Sequence, residues 1–97
     1  MDFSNLLKNL RTEKGVSIKK LAAEVGLNYT YISKLENAKV KPSLEVINKF
    51  SHYFNYNSDE LMITAGKIPK DVEEILKSNP KEAIKLLRRK FGDVKSK

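Results

Sequence analysis

Cysteine and histidine, two of the residue types most used in nucleophilic catalysis and metal binding, are nearly absent from this sequence. It has no cysteine and one histidine, His52, so thiolate metal sites, a cysteine nucleophile and a multi-histidine metal site are excluded. His52 is expected to be a surface or half-buried residue. The acidic pairs Asp59-Glu60 and Glu73-Glu74 have no glycine-rich phosphate loop nearby, so solvated helix faces and a favourable helix-start charge explain them better than acid–base catalysis. We therefore expect no enzyme, no cofactor and no metal.

The charge of the chain points instead to a polyanionic partner. Lys and Arg number 19 against 12 Asp and Glu, a net charge of +7 in 97 residues. Such a surplus favours nucleic acid or an anionic membrane, and charge alone does not separate the two. No apolar run approaches the ~20 residues that span a bilayer, and the N-terminus lacks the apolar stretch of a signal peptide. We expect a soluble, cytoplasmic protein with one modest core and no membrane partner.

The sequence predicts a succession of helices, which must position any binding surface. In the first segment apolar residues recur at i, i+3, i+4 and i+7, which predicts a helix that Gly15 closes. Residues that stand where N-caps belong ahead of the next three helices are Ser17, Asn28 and Ser43. Ser58 opens a short fifth helix. Two more helices follow Gly66, and Asn79-Pro80-Lys81-Glu82 at the start of the second resembles a capping box.

The chemistry is concentrated between Ile18 and Asn37, which read as two short helices joined by a sharp turn at Gly26. Gly26 supplies the positive φ that such a turn needs at no steric cost. Ala22, one turn earlier, is small enough for two helices to cross closely. The aliphatic residues that lock the second helix across the first are Leu21, Val25, Leu27, Ile32 and Leu35.

The exposed side of the second helix in this pair distinguishes a DNA-binding unit from a plain helical bundle in which Ala22 and Gly26 only pack. Once the aliphatic residues face inward, that side carries hydrogen-bonding groups and no carboxylate until Glu36. A helix in the major groove needs this composition, because base edges and phosphates accept hydrogen bonds and repel acids. The hydrogen-bonding residues are Asn28, Tyr29, Thr30, Ser33, Lys34 and Asn37.

This spacing of small residue, glycine and aliphatic residues resembles the helix-turn-helix of the phage repressor/Cro (XRE) regulators. The match continues through Glu36-Asn37, a lysine-rich loop and Pro42-Ser43-Leu44, and it covers roughly residues 4–66. The resemblance implies an all-α fold. It consists of a five-helix lambda-repressor-like DNA-binding domain at residues 1–66 and two C-terminal helices at residues 67–97.

The resemblance and the position of each residue assign roles toward DNA. The predicted base readers, on the first turns of the third helix, are Tyr29, Thr30, Ser33 and Lys34. The predicted phosphate contacts are Lys19, Lys20, Asn28, Tyr31, Asn37, Lys39 and Lys41. Lys34 can donate to guanine, and Thr30 can offer a methyl to thymine. For Tyr29 a sugar stack and a phosphate contact both stay open. Many relatives carry glutamine where Ile18 stands. The isoleucine therefore lacks one phosphate or side-chain contact that the resemblance would otherwise imply.

Two structural positions also follow from the resemblance. Relatives form a partly buried ion pair between the residues that match Arg11 and Glu36, and the alternative is two unrelated surface charges. Relatives usually carry glycine at the position of Ala38. Here either Asn37 takes the left-handed conformation or Ala38 bears a strain of ~1 kcal/mol.

The C-terminal extension, residues 67–97, exceeds what a minimal five-helix domain needs. Its apolar residues are too few for a separate core and too many for solvent, so they must be covered. We expect a dimer interface, and the alternative is a hairpin packed back on its own domain. The candidate interface residues are Val72, Ile75, Leu76, Ile84, Leu87 and Phe91. The basic run Arg88-Arg89-Lys90 is expected to be a solvated face.

These features together predict a sequence-specific regulator of transcription, in our interpretation a repressor, that binds double-stranded DNA. One recognition helix reads only about four or five base pairs, and two-fold symmetry doubles that readout. We therefore expect a homodimer on a palindromic operator. The alternative is an antitoxin or adaptor whose C-terminal helices bind a partner protein, with DNA binding secondary.

Overall fold

The computed structural model describes residues 2–92, which contain seven α-helices and no strand. The helices are α1 Phe3–Lys14, α2 Ile18–Val25, α3 Tyr29–Glu36, α4 Leu44–Phe54, α5 Ser58–Thr64, α6 Lys70–Ser78 and α7 Pro80–Phe91. The predicted all-α class is confirmed. The chain divides after Lys67 into two compact units, the first containing α1 to α5 and the second α6 and α7. None of the described helices is long and apolar enough to cross a membrane.

Local capping sets most of the helix starts, as the sequence predicts. The Ser17 hydroxyl accepts from the Lys20 backbone N–H at 3.0 Å, and the Ser43 hydroxyl caps α4 in the same way. α5 begins at Ser58, but its cap is the preceding residue, Asn57, whose side chain accepts from the Glu60 backbone N–H at 2.9 Å. Each of these side-chain oxygens satisfies one of the free N–H groups in the first turn of its helix.

The predicted capping box at the start of α7 is wrong. The Asn79 side chain makes no cap to α7, and its amide nitrogen donates to the carbonyl oxygen of Ile75 at 3.1 Å. Asn79 is the only residue between α6 and α7, so it serves as C-cap of one and N-cap of the other. Its ψ of 52° lies outside the extended conformation that an N-cap residue normally adopts. The side chain therefore stabilises the end of α6 instead.

One apolar core holds the first unit together. Its most deeply buried side chains, all under 2% exposed, are Leu7, Leu21, Ile32, Leu35, Ile47, Phe50 and Leu61. Every helix from α1 to α5 contributes at least one of them. Within this unit α3 packs against both α1 and α2, while α2 also packs against α4. The inner face of α3 is thus committed to the core, and its opposite face is left for other contacts.

The second unit has no comparable interior among its described residues. α6 and α7 contact each other, but neither contains a buried residue. Five of the six predicted interface residues are exposed, from 37% for Val72 to 75% for Phe91, and the sixth, Leu76, is partly buried. Residues 93–97 of the predicted extension lie outside the described part of the chain. Dimerisation through these helices stays a prediction.

Candidate nucleic-acid interface

The turn between α2 and α3 has the geometry that the sequence predicts. Gly26 has a φ of 72° and a ψ of 37°, and its N–H bonds to the Ala22 carbonyl. The next N–H, of Leu27, donates to the same carbonyl at 3.0 Å. A Cβ on Gly26 would meet only Lys49 Nζ, at 3.9 Å, so backbone conformation rather than space requires glycine here.

Side chains of α4 hold the end of α2, which sequence reasoning missed. Lys49 Nζ donates to the carbonyl oxygen of Val25 at 3.3 Å, and the Tyr53 hydroxyl donates to a Glu24 carboxylate oxygen. The hydrogen bond to Glu24 raises the pKa of Tyr53 above its ordinary value. No local pattern marks these contacts, because Lys49 and Val25 are 24 residues apart.

The four predicted base readers lie together on the outer face of α3. Their spacing, i, i+1, i+4 and i+5, covers less than half of the helix circumference. Tyr29, Thr30 and Lys34 are exposed, and Ser33 is half-buried. Asn28 precedes them as the N-cap, its side-chain oxygen accepting from the Thr30 backbone N–H at 2.7 Å. The face thus presents hydroxyl groups and an ammonium group beside a helix N-terminus.

The one acid on α3 is removed from that face. Glu36 is 5% exposed, and Arg11 holds it in a two-pronged ion pair, with Nε 2.6 Å from Oε2 and Nη2 3.0 Å from Oε1. The remaining guanidinium nitrogen of Arg11, Nη1, donates to the Val16 carbonyl oxygen at 3.0 Å. The hydrogen bond to Glu36 raises the pKa of Arg11 above its ordinary value. Since Glu36 is the only acid between residues 28 and 41, the accessible surface of that segment carries no carboxylate.

The predicted phosphate contacts divide into free lysines and partly occupied side chains. Four lysines are exposed and take no part in an ion pair within the described residues: Lys19, Lys20, Lys39 and Lys41. The amide nitrogen of Asn37 already donates to the Ser33 carbonyl at 2.8 Å, at the end of α3. The half-buried Tyr31 packs against the core. The lysines are therefore the side chains best able to meet phosphates.

Ala38 takes the strained conformation at the end of α3. Its φ is +58°, whereas Asn37 has an ordinary φ of −100°. The left-handed conformation brings the Lys39 N–H within 2.8 Å of the Lys34 carbonyl and so closes the helix. An alanine Cβ makes this conformation costly by ~1–2 kcal/mol.

Replacing Ala38 by glycine is expected to raise the free energy of unfolding by about 0.5–1 kcal/mol, since the steric relief exceeds the entropy that glycine gains in the unfolded chain. Urea unfolding measures the change. The matched control is Ala23→Gly, at an exposed position inside α2, where the same substitution should destabilise by about 0.5–1 kcal/mol. Destabilisation by both variants would contradict strain at Ala38.

Comparisons with known proteins agree with this arrangement. A family profile described as helix-turn-helix matches residues 7–61, more than half of the chain. The chain is 36% identical over 62 residues to the HTH-type transcriptional activator BcrR of Enterococcus faecalis, covering 64% of this chain and 30% of that protein. It is 25% identical over 84 residues to the HTH-type transcriptional regulator DdrOP3 of Deinococcus deserti, covering 78% of this chain and 65% of that protein. The matches thus span less than two-thirds of either relative.

A solved structure shares the fold. The clp gene regulator ClgR from Corynebacterium glutamicum superposes with a TM-score of 0.58 over 94% of this chain and 92% of its own, at 20% sequence identity. At that identity the likeness concerns the fold alone. Both the glycine-centred turn between α2 and α3 and the family match over α1 to α5 lead to the same conclusion, that this chain belongs to the XRE-type helix-turn-helix family.

Proposed function

We propose that this chain is a sequence-specific double-stranded DNA-binding regulator of transcription, with α3 lying in the major groove. The observation that carries the proposal is the outer surface of α3 and its following loop, from which Arg11 removes the sole carboxylate, Glu36. A surface without acids, bordered by lysines, suits a polyanion whose base edges accept hydrogen bonds. The names of the relatives, which are transcriptional regulators, support the same function.

The side chains divide into readers and anchors. Tyr29, Thr30, Ser33 and Lys34 would read base edges, because they share the outer face of the first turns of α3. The exposed lysines and the N-terminus of α2 would hold phosphates, where unpaired backbone N–H groups and the helix dipole favour anions. The anchors would set the register of α3 on the duplex without contributing sequence preference.

The active form in this proposal is a homodimer on a palindromic operator. The C-terminal helices would join the two copies and place their recognition helices about one DNA turn, ~34 Å, apart. Repression is the proposed outcome, because occupying an operator requires no contact with the transcription machinery. One relative is named as an activator. A reporter gene with the operator inside its promoter tests directly whether this chain lowers or raises transcription.

Lys34→Ala and Lys39→Ala test the division into readers and anchors. Lys34→Ala is expected to relax the preference at one base position by ~1–3 kcal/mol, because a base-edge hydrogen bond is lost. Lys39→Ala should weaken binding to all sequences alike. Selection of bound sites from a random duplex pool, followed by affinities for single-base variants, measures both effects.

The control is Lys8→Ala, which removes an equal charge from an exposed position of α1 that has no assigned contact. Its affinity and site preference should stay close to those of the wild type. If Lys34→Ala and Lys39→Ala weakened every sequence equally, the division would be wrong. If the wild-type protein bound no duplex at low salt, the proposed function itself would fail.

A further inference from the structure

The positive charge of this chain is concentrated in α7 and not in the unit that contains the α2–α3 turn. Residues 1–67 carry ten bases against seven acids, a net charge of +3. The twelve residues of α7 carry five bases against one acid, Glu82, a net charge of +4. α6 carries three acids and two bases. The first unit therefore accounts for less than half of the net charge of +7.

Three of the bases form a row along one side of α7. Lys81, Lys85 and Arg89 recur every four residues, so they follow one another on the same side of the helix. All three are exposed, and none of them takes part in an ion pair within the described residues. The consecutive bases Arg88-Arg89-Lys90 instead point in directions roughly 100° apart, so the run that stands out in the sequence forms no common surface.

The length of this row suits a polyanion with closely spaced charges. Four residues of an α-helix advance about 6 Å, so the row extends over about 12 Å. One strand of duplex DNA presents a phosphate every ~3.4 Å along the duplex axis, and a stretch of about 12 Å therefore holds three or four phosphates. Each base of the row can thus meet a phosphate of the same strand.

We propose that the row on α7 is a second DNA-binding surface, which contacts phosphates that flank the operator while α3 reads the operator itself. The inference rests on the proposed function, because α3 would bring the duplex to the chain. Only five residues separate α5 from α6, and a second contact joined through so short a linker acts at an effective concentration on the order of millimolar. Phosphate contacts carry no base preference, so the row would add affinity and leave the sequence preference to α3.

Flanking DNA fits the row better than an anionic membrane does. The apolar side of α7, which a membrane would take up, contains the exposed residues Ile84, Leu87 and Phe91. At 100° per residue, the middle of the row lies roughly 130° around the helix from the middle of that apolar side. A membrane that took up the apolar side would therefore leave the row directed away from its headgroups. A duplex can use the row without any apolar contact.

The length of the duplex tests the proposal in the full-length chain. One duplex ends at the operator obtained from the random pool, and a second extends it by about ten base pairs, one turn, at each end. At about 50 mM salt the extension should raise the affinity of the wild type by at least about tenfold. It should also steepen the plot of log affinity against log salt by about 3 for each bound chain. Fluorescence anisotropy of both labelled duplexes across a salt series measures these effects.

Replacing the whole row by glutamine should abolish the gain from the longer duplex. The variant is Lys81→Gln with Lys85→Gln and Arg89→Gln. It should keep the affinity of the wild type for the shorter duplex, where the row has no phosphate to meet, so a change confined to the longer duplex excludes a general folding defect. A variant that gains as much from the extension as the wild type would overturn the proposal.

The matched control is a pair of single lysine substitutions on α7. Lys85→Gln removes one member of the row, and the slope on the longer duplex should become shallower by about 1 for each chain. Lys90→Gln removes an equal charge from an exposed position roughly 140° around the helix and should leave the gain unchanged. Equal losses in both variants would mean that only the net charge of the chain matters, and would overturn the row as a binding surface.

Three further outcomes separate this proposal from the proposed function. A wild type that binds the shorter duplex with site preference and gains nothing from the extension would overturn the row alone. A wild type that binds every long duplex equally through the row, without site preference, would contradict the regulator function and leave the row standing. A wild type that gains nothing from the extension but binds phosphatidylserine vesicles, and loses that binding in the triple variant, would overturn the proposal in favour of a membrane.

Discussion

Raising the salt concentration from about 50 to about 200 mM is expected to weaken operator binding by roughly four orders of magnitude. Each subunit offers four exposed lysines as phosphate contacts: Lys19, Lys20, Lys39 and Lys41. A dimer then neutralises ~8 phosphates, and counterion release gives a slope of about −7 in a plot of log affinity against log salt. Fluorescence anisotropy of a labelled operator across a salt series measures this slope.

Lys39→Ala provides an internal check on the salt dependence. It removes one contact per subunit, so the slope should become shallower by about 2 for the dimer. Lys8→Ala, the control of equal charge on α1, should leave the slope unchanged. A wild-type slope shallower than about −2 would contradict the proposed footprint, whatever the absolute affinity.

Arg11→Met is expected to lower the free energy of unfolding by about 3 kcal/mol, because it leaves the buried Glu36 carboxylate without its counter-charge. The substitution also removes the guanidinium N–H that donates to the Val16 carbonyl oxygen. Glu36→Leu should cost less, because the Arg11 side chain is 15% exposed and can turn toward water while keeping its bond to Val16. The loss in the free energy of unfolding should therefore be larger for Arg11→Met than for Glu36→Leu.

The double variant, Arg11→Met with Glu36→Leu, should recover much of the loss, since no buried charge remains. Urea unfolding of the wild type, both single variants and the double variant completes the cycle. Strictly additive losses would mean that the two groups contribute independently. That result would contradict the two-pronged ion pair as an energetic unit.

This ion pair also connects stability with the proposed binding surface. The same contact that attaches α1 to the end of α3 keeps a carboxylate away from the face that would meet DNA. Sequence pattern alone left two alternatives for Arg11 and Glu36, a pair or two surface charges. The residues lie 25 positions apart, so only the packing of α1 on α3 determines whether they meet.

The helices, the α2–α3 turn and the membership of the family are predictable from the order of the residues. These depend on contacts within a few residues: a serine or asparagine oxygen two or three positions from a free N–H, or a glycine at a positive φ. They also depend on the apolar period that assigns α3 an inner and an outer face. Such local rules operate before the chain has packed, so they can be read in order along it.

The contacts that hold the ends of those helices become evident only in the folded chain. Ala38, and not Asn37, takes the left-handed conformation. The Asn79 side chain donates to a carbonyl at the end of α6 and does not form the predicted capping box at the start of α7. Lys49 reaches the end of α2 from another helix. For Ala38 and Asn79 the sequence allows more than one local conformation or hydrogen bond, and the folded chain adopts one of them. The partner of Lys49 is 24 residues away, so only packing between helices brings the two within hydrogen-bond distance. Sequence spacing does not contain that distance.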